Sequence, residues 1–224
     1  MQLLKEIAQF TPLLMKGTVV TVELTAYSIA LSVVFAFVFG IMRQSRNPTL
    51  NRIAAIYIDF FRGTPELVLL YWIYFALPFL GITLPTMTTG VVGISLNLGA
   101  YEAEVVRSSI AAVPREQYLA ANALNFTRWQ TTLRIILPQA VIRMIPPMGN
   151  LFIQLLKATA LVSLITLHDL TFQAQILNSQ TYKTLIIFGM TLIIYFAIAM
   201  VITFGMRLLE RALSRGRDYG GVQL

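Results

Sequence analysis

Long runs of apolar residues recur along the chain and are separated by shorter polar and basic stretches. Several of these runs are close to the roughly 20 residues that an α-helix needs to cross a bilayer. The runs cover residues 18–42, 63–80, 82–101, 144–167 and 184–206. This pattern predicts an all-α integral membrane protein with five transmembrane helices. Residues 3–15 form a shorter amphipathic stretch, which we expect to be a separate helix at the membrane interface.

The composition agrees with a membrane protein. The chain has 224 residues, of which 57% are hydrophobic and only 12% are charged. Soluble domains carry about twice this charged fraction. After five crossings too few residues remain for a second folded unit, so we expect residues 1–224 to form one transmembrane domain. The absence of cysteine and the single histidine, His168, leave little for metal binding, and no metal site is expected.

The positions of the basic residues predict the orientation. The formal net charge is +7, and arginines cluster after the first, third and fifth apolar runs. These clusters are Arg43, Arg46 and Arg52; Arg107, Arg115, Arg128, Arg134 and Arg143; and Arg207, Arg211, Arg215 and Arg217. The opposite side holds Lys5, Lys16 and Lys183. The positive-inside rule then places the N-terminus outside and the C-terminus in the cytoplasm. The same distribution argues against a basic nucleic-acid-binding face.

Residues 107–138 are expected to form the only long cytoplasmic connection. Pro114 can begin a helix because a proline in the first turn loses no hydrogen bond. The pattern favours a helix over residues 115–125 and a second, amphipathic helix over residues 129–137. Pro138 is expected to end the second helix or to bend it into the next crossing.

Four blocks of the sequence resemble one protein family over nearly the whole chain. The blocks are residues 61–65, 99–107, 119–140 and 156–163. They are similar to the permease subunits of polar amino-acid type ABC importers. The resemblance implies the type I importer permease fold, with residues 107–138 as the segment that docks onto an ATPase.

The third block resembles the docking motif of that family. Two positions depart from the motif: Leu119 stands where the family has Glu, and Asn125 stands where it has Gly. Asn tolerates the left-handed conformation that a Gly supplies at a helix end, so we expect docking to be retained. The docking residues implied are Arg115, Tyr118, Leu119, Ala120, Ala121, Leu124, Asn125, Phe126, Trp129, Leu137 and Pro138. The alternative is an amphipathic segment that lies on lipid headgroups.

Polar residues at membrane depth are candidates for a solute pathway, because they are costly there and tend to face a pathway or a partner helix. Helical spacing places Asn97, Tyr101 and Glu104 on one face. It places Asn150, Gln154 and Lys157 on another. If the two faces meet, Glu104 could balance a cation of the solute and Lys157 its carboxylate. The alternative is that the two charges pair with each other or with neighbours and only hold helices together.

The run Arg62, Gly63, Thr64 and Pro65 is expected at the cytoplasmic start of the second crossing. Gly63 and Pro65 would break a helix, and Thr64 can satisfy a backbone group that the break frees. The segment is therefore a candidate gate or hinge, and the alternative is a plain kink.

The resemblance also suggests a solute. Residues 157–161 and 169–175, with Ala158 and Ala160 where most of the family has Asp and Ser, look most like the ectoine and hydroxyectoine branch. Uptake of such a zwitterionic compatible solute is the main hypothesis. Polar amino acids such as glutamate, glutamine, arginine or histidine are the alternative. A stand-alone channel or secondary carrier, or a membrane scaffold without a pathway, are alternatives of other classes.

The expected partners are those of the family. They are cytoplasmic ATPase subunits, a second permease (the same chain or a sister chain), an extracytoplasmic solute-binding protein and the lipid bilayer, but no nucleic acid. The chain lacks a Gly-Lys pair and hence a phosphate-binding loop of the usual form. We therefore expect no enzymatic activity and no cofactor in this chain, because ATP and Mg would be bound by the ATPase. The expected location is the plasma (inner) membrane of a prokaryote.

Overall fold

The computed structural model describes residues 2–214, with side chains described from residue 5 onward, and every regular element in that range is helical. The all-α prediction is confirmed for this part of the chain. Its α-helices are α1 (Gln2–Met42), α2 (Pro48–Gly63), α3 (Glu66–Tyr71), α4 (Thr86–Ala111), α5 (Arg115–Ala123), α6 (Arg128–Gln130), α7 (Leu137–Ala158), α8 (Leu170–Thr181) and α9 (Thr184–Ser214). Wider π-helical turns and tighter 3-10 turns continue some of them, at Trp72–Ala76 and Thr131–Ile136, and at Leu77–Leu80 and Thr159–Ile165.

The first helix, α1, is continuous over 41 residues, so the prediction of a separate interfacial helix at residues 3–15 is wrong. Phe10 and Leu14 are buried in a cluster with Leu170 of α8. Gly17 allows this approach, because a Cβ at that position would lie 2.7 Å from a backbone oxygen just before α8. The apolar positions near the start of the chain therefore serve helix packing rather than contact with headgroups.

Helices α1 and α4 pack side by side and form the centre of the fold. Small residues let the two backbones come close. A Cβ on Gly40 would lie 2.7 Å from Cβ of Val106, and a Cβ on Gly99 would lie 2.9 Å from a Cβ of α1. The hydroxyl of Ser95 donates to the backbone oxygen of Ser28 at 3.0 Å, which adds a buried hydrogen bond between the helices. Gly99 therefore permits a close approach of the two helices.

A cluster of buried side chains joins α1 and α4 to α7 at the end nearest α5, and we call it the junction cluster. Its members are Ala36, Val106, Ile110, Val113, Ile136, Ala140, Met144, Met148 and Phe152. A second cluster lies farther along the same helices, and its members are Leu24, Leu70, Ile94, Leu98, Leu155, Val162 and Ile165. Together the two clusters hold α4 in the interior along its length.

Among the described residues, three helical runs are long and apolar enough to cross a membrane. They are Lys5–Met42, Arg128–Ile165 and Thr184–Ser214. The pair Pro48–Gly63 and Glu66–Leu80 meets the same criteria together, with a bend of 102° between its halves. Three runs and one bent pair thus correspond to four of the five predicted crossings, and the orientation of the ends stays a prediction. Arg215 and Arg217, which entered that prediction, lie outside the described residues.

The helix α4 is not among those runs, although residues 82–101 were predicted as a crossing. Its middle carries polar groups such as Ser95, Asn97 and Glu102, all of them buried. Because α1, α2 and α7 enclose α4, these groups face protein rather than lipid, and the helix can be less apolar than its neighbours.

The second crossing was predicted to begin after Arg62, whereas the helix pair that meets the length and hydropathy criteria begins earlier, at Pro48. The chain turns back earlier, at α2. The guanidinium of Arg43 donates to the side chain of Asn51, and the ring of Tyr57 stacks on Phe39 with 3.7 Å between centroids. The residue numbers in these contacts increase along α2 while they decrease along α1, so α2 runs antiparallel to α1. Residues 62–65 therefore lie at the bend inside a helix pair rather than at the start of a crossing.

Two polar segments of the chain are largely helical, and helices were predicted in the first of them. Residues 107–138 contain the end of α4, the whole of α5 and the start of the helical run that leads into α7. The polar residues 171–182 belong mostly to α8. The side chain of Asp169 caps that helix by accepting from the backbone N–H groups of Thr171 and Phe172 at 3.2 and 2.9 Å.

Prediction for the α1–α4 contact: Gly40→Ala should destabilise the subunit by about 1–3 kcal/mol, because overpacking a tight helix contact costs that much. The added Cβ would lie 2.8 Å from the backbone oxygen of Ala103, and a backbone atom cannot move aside cheaply. The matched control is Gly205→Ala on α9, where nothing lies within 4 Å of the added atom. Thermal unfolding in detergent measures both variants, and equal melting temperatures would refute the tight contact.

Candidate functional site

The segment that resembles a docking motif folds as a short helix, a tight turn and a second helix. Its first helix, α5, ends at Ala123, two residues before the predicted end. Asn125 has a φ of 57°, so the expectation that it accepts the left-handed conformation is confirmed. The N–H of Phe126 donates to the oxygen of Ala121 at 3.1 Å, and the N–H of Asn125 donates to that of Asn122 at 3.0 Å. This pair of bonds satisfies carbonyls that a helix end leaves free.

The second helix begins with a reciprocal cap. The hydroxyl of Thr127 accepts from the N–H of Gln130 at 3.3 Å, and the Gln130 side chain accepts from the N–H of Thr127 at 2.9 Å. The π turn Thr131–Ile136 then leads directly into α7. Proline lacks an N–H and crowds the carbonyl four residues earlier, so a wider turn before Pro138 relieves that clash. The helix continues through Pro138 instead of ending there.

Most of the predicted docking side chains lie on the surface. Leu119 is 58% exposed, and Leu124 and Trp129 are each 69% exposed. Arg115 and Ala120 are also exposed, whereas Ala121 is buried completely. The half-buried members are Tyr118, Phe126, Leu137 and Pro138. The segment therefore presents an apolar surface on one side and packs through Ala121 on the other.

The docking segment is tied to the junction cluster. The side chain of Tyr118 packs against that cluster, and burial raises the pKa of its hydroxyl. The side-chain amide of Gln139 donates to the side-chain oxygen of Gln117 at 3.3 Å, and Arg143 donates to the backbone oxygen of Ala112. These contacts couple α5 to α7, so a force on α5 would be transmitted to α4 and α7.

Side chains of α4 and α2 hold the bend at residues 62–65. The side-chain amide of Asn97 donates to the backbone oxygens of Phe61 and Thr64, at 2.7 and 3.0 Å. The hydroxyl of Tyr101 donates to the backbone oxygen of Arg62 at 3.1 Å. The Thr64 hydroxyl donates to the oxygen of Phe60 at 2.8 Å, and its expected role at a freed backbone group is confirmed. The carbonyls at the end of α2 are thus satisfied in one defined geometry.

The side chains at the bend point away from the core. The guanidinium of Arg62 lies over the ring of Tyr101, with 5.3 Å to the ring centroid. Nothing in the described part of the chain lies within 4 Å of where a Cβ on Gly63 would be. Pro65 is exposed and precedes α3. The bend is open to its surroundings on the side that carries Arg62.

The two predicted pathway faces are not joined within the chain. Asn97 and Tyr101 contact the end of α2, as described above. Glu104 pairs with Arg107, whose Nε lies 3.0 and 2.9 Å from the two carboxylate oxygens. Of the two interpretations of Glu104, the geometry favours pairing with a neighbour. The assignment of these residues to a pathway stays a prediction.

The second face, on α7, is free of partners from the described residues. Asn150, Gln154 and Lys157 are all exposed and share one side of the helix. Lys157 also lines a shallow groove beside Tyr195 and Phe196 of α9. An exposed cation in a long apolar helix requires a polar surface opposite it.

Two acidic residues, on α4 and α2, lie outside the predicted site. The carboxylate of Glu102 is fully buried and accepts a hydrogen bond from Ser32 at 3.1 Å, which indicates a structural role. Asp59 on α2 is exposed and was not among the predicted site residues, because no helix was predicted over residues 48–63. The buried positions Ala54, Tyr57 and Ile58 have helical spacing and could have revealed α2. Within residues 2–214, no group of three or more metal-ligating side chains lies together.

Comparison with known proteins decides the family. Residues 24–215 match the family described as binding-protein-dependent transport system inner membrane component. The chain belongs to this permease family. It is 46% identical over 210 residues to the probable amino-acid ABC transporter permease protein y4tF of Sinorhizobium fredii, which covers 91% of this chain and 88% of the relative.

Two further relatives are named for specific solutes. The glutamine transport system permease protein GlnP of Escherichia coli is 34% identical, over 90% of this chain and 93% of the relative. The L-cystine transport system permease protein TcyB of Bacillus subtilis is also 34% identical, over 92% of this chain and 88% of the relative.

Solved structures agree with the permease fold. A crystal structure of an amino acid ABC transporter with histidines superposes with a TM-score of 0.85 and 35% identity, covering 92% of this chain and 97% of that one. The MetNI methionine ABC transporter superposes with a TM-score of 0.76 at 20% identity, covering 91% and 97%, and supports the fold alone. The predicted type I importer permease fold is confirmed.

Prediction for the docking turn: Asn125→Gly should keep the turn, whereas Asn125→Val should destabilise it by about 1–3 kcal/mol, because a β-branched residue strains at positive φ. Limited proteolysis of the purified subunit measures the opening of residues 124–127. Cleavage there should rise at least about fivefold in the Val variant and stay within twofold in the Gly variant, since 1.4 kcal/mol corresponds to a factor of ten in the open fraction. Equal cleavage of both variants would contradict the assigned turn.

Proposed function

We propose that this chain is the membrane permease subunit of an ATP-driven importer for polar amino acids. The observation that carries the proposal is the extent of the likeness to amino-acid permeases, which spans nine-tenths of the chain at 34–46% identity. The TM-score of 0.85 with the solved structure of an amino acid ABC transporter supports the same proposal. The chain itself performs no hydrolysis in this proposal. It converts movement of a cytoplasmic ATPase into movement of membrane helices.

The contact with the ATPase is made by α5 and the turn that follows it. Leu119, Leu124 and Trp129 supply exposed apolar area, and aromatic anchors of this kind dominate many protein interfaces. Arg115, also exposed, adds a positive charge that steers the segment toward an acidic rim. The rigid link from Tyr118 to the junction cluster passes the movement on to α4 and α7. An amphipathic segment that merely rests on lipid needs no such link.

The proposed arrangement has five crossings, with the N-terminus outside and the C-terminus in the cytoplasm. The helices α1, α4 and α9 and the run from α6 through α7 supply four crossings, and the bent pair of α2 and α3 supplies the other. The polar face of α7, with Asn150, Gln154 and Lys157, then faces a second permease subunit across the solute pathway. An extracytoplasmic binding protein delivers the solute to this pathway.

The solute is better explained as an amino acid than as ectoine. The relatives reported above are named for amino acids, glutamine and cystine. None of these relatives is named for ectoine, the solute that the resemblance of residues 157–161 and 169–175 suggested. Both classes of solute are small zwitterions, so the same pathway chemistry serves either, and a direct competition separates them.

Prediction for ATPase docking: Trp129→Ala should lower ATP-driven uptake by at least about tenfold, because truncating an aromatic hot spot at an interface costs about 2 kcal/mol or more. Uptake is measured in proteoliposomes that contain the permease, its ATPase and its binding protein. The control is Leu185→Ala on α9, whose side chain is 89% exposed and lies outside the docking segment. Full ATP-coupled uptake by the Trp129 variant would reject the docking role and favour a self-sufficient channel or carrier.

Prediction for the solute: the wild-type importer should accumulate labelled polar amino acids, such as glutamine, histidine or arginine, in an ATP-dependent manner. A hundredfold excess of an unlabelled polar amino acid that the importer accepts should abolish the signal. The same excess of ectoine should lower uptake by less than twofold. Efficient competition by ectoine would restore the compatible-solute hypothesis.

A further inference from the structure

Two opposite charges on the last turns of α2 are not neutralised by each other. Asp59 and Arg62 are both exposed and lie three residues apart, which places them on neighbouring positions of one flank. In the part of the chain that the structure describes, no ion pair joins them, and Asp59 makes no side-chain hydrogen bond. The described contact of the Arg62 guanidinium is with the ring of Tyr101.

The nearby charges are occupied elsewhere. Glu104 is bonded to Arg107 and acts on Arg62 only as a weaker charge through space. Arg43 is bonded to the side chain of Asn51. The backbone carbonyls at the bend are satisfied by α4 side chains, so the guanidinium of Arg62 is not needed to cap them.

The two charges lie within the proposed crossing. Tyr101, on which Arg62 rests, lies six residues before Arg107, where the cytoplasmic connection was predicted to begin. At about 1.5 Å per residue this separation is about 9 Å. The hydrocarbon core of a bilayer is about 30 Å thick, so the bend lies inside it. Charged side chains at that depth face a pathway or a partner rather than lipid.

We propose that Asp59 and Arg62 form a subsite for the zwitterionic head that α-amino acids share. Arg62 binds the carboxylate, for which the planar guanidinium is suited, and Asp59 binds the ammonium group. The open space beside Gly63 admits the head to the bend. This inference rests on the proposed function, since it assigns the solute of that importer to named residues.

The arrangement selects for a complete zwitterion. A solute that carries only one of the two charges leaves either Asp59 or Arg62 unpaired inside the membrane. An unpaired charge in such a place is costly, so the site rejects solutes with a single charge more strongly than a neutral pocket would. The side chain of the amino acid is not read by these two residues, which suits a pathway that serves more than one amino acid.

The test uses the complete importer in proteoliposomes, with labelled amino acid and ATP hydrolysis measured together. Arg62→Gln and Asp59→Asn should each lower uptake per ATP hydrolysed by tenfold or more, with ATP hydrolysis within twofold of wild type. Arg62→Lys should retain more uptake than Arg62→Gln because it keeps the charge. Arg52→Gln, an exposed arginine near the start of the same helix, should stay within twofold.

A charge exchange separates a solute site from an ion pair between two permease copies. In the double variant Asp59→Arg with Arg62→Asp, an ion pair between copies is preserved, so restored uptake would overturn the proposal. Unchanged uptake in Arg62→Gln, or an Arg62→Lys variant no better than Arg62→Gln, would overturn it as well. A wild-type importer that transports no amino acid refutes the proposed function and this subsite together, which the variants alone cannot do.

Discussion

The direct contact of α1 with α4 is the constraint on which the rest of this permease depends. Gly40 and Gly99 remove side chains where the two backbones meet, and a buried hydrogen bond from Ser95 fixes their register. With α4 enclosed in this way, polar groups such as Asn97 can be placed at a depth where lipid would penalise them. Asn97 in turn fixes the bend of α2. The close packing of α1 on α4 therefore allows both the buried polar side chains of α4 and the bend of α2 that Asn97 fixes.

Much of the fold could be predicted because hydrophobic length and helix-end chemistry are local properties. The two helices of residues 115–137 follow from periodicity, and the left-handed turn at Asn125 follows from residue type, whereas the docking role assigned to them comes from the resemblance to a family. The missed element, α2, has a narrow buried face at Ala54, Tyr57 and Ile58 and many polar residues around it, so it resembles a connection. The continuity of α1 through residues 16–18 was missed because nothing in the sequence shows that α8 covers its first turns.

For the candidate site, the sequence predicts which residues share a face of one helix but not which helices contact each other. Periodicity groups Asn97, Tyr101 and Glu104 on one side of α4, but it does not say which helix lies opposite. The partner of Glu104 is a neighbour at i+3, which periodicity allows. Asn97 instead bonds to carbonyls that are free of helical partners because α2 ends at a bend of 102°. Contacts created by a bend depend on tertiary geometry, and a single sequence does not contain them explicitly.

In the proposed docking role of α5, the apolar, exposed side chain of Leu119 bears on which ATPases can pair with this permease. A cytoplasmic subunit shaped to receive an acid at that place would bring a basic group toward a hydrocarbon and leave it without a counter-ion. Docking through α5 would then favour an ATPase with an apolar pocket there over one built for an acidic side chain. A single leucine would in this way keep parallel uptake systems separate.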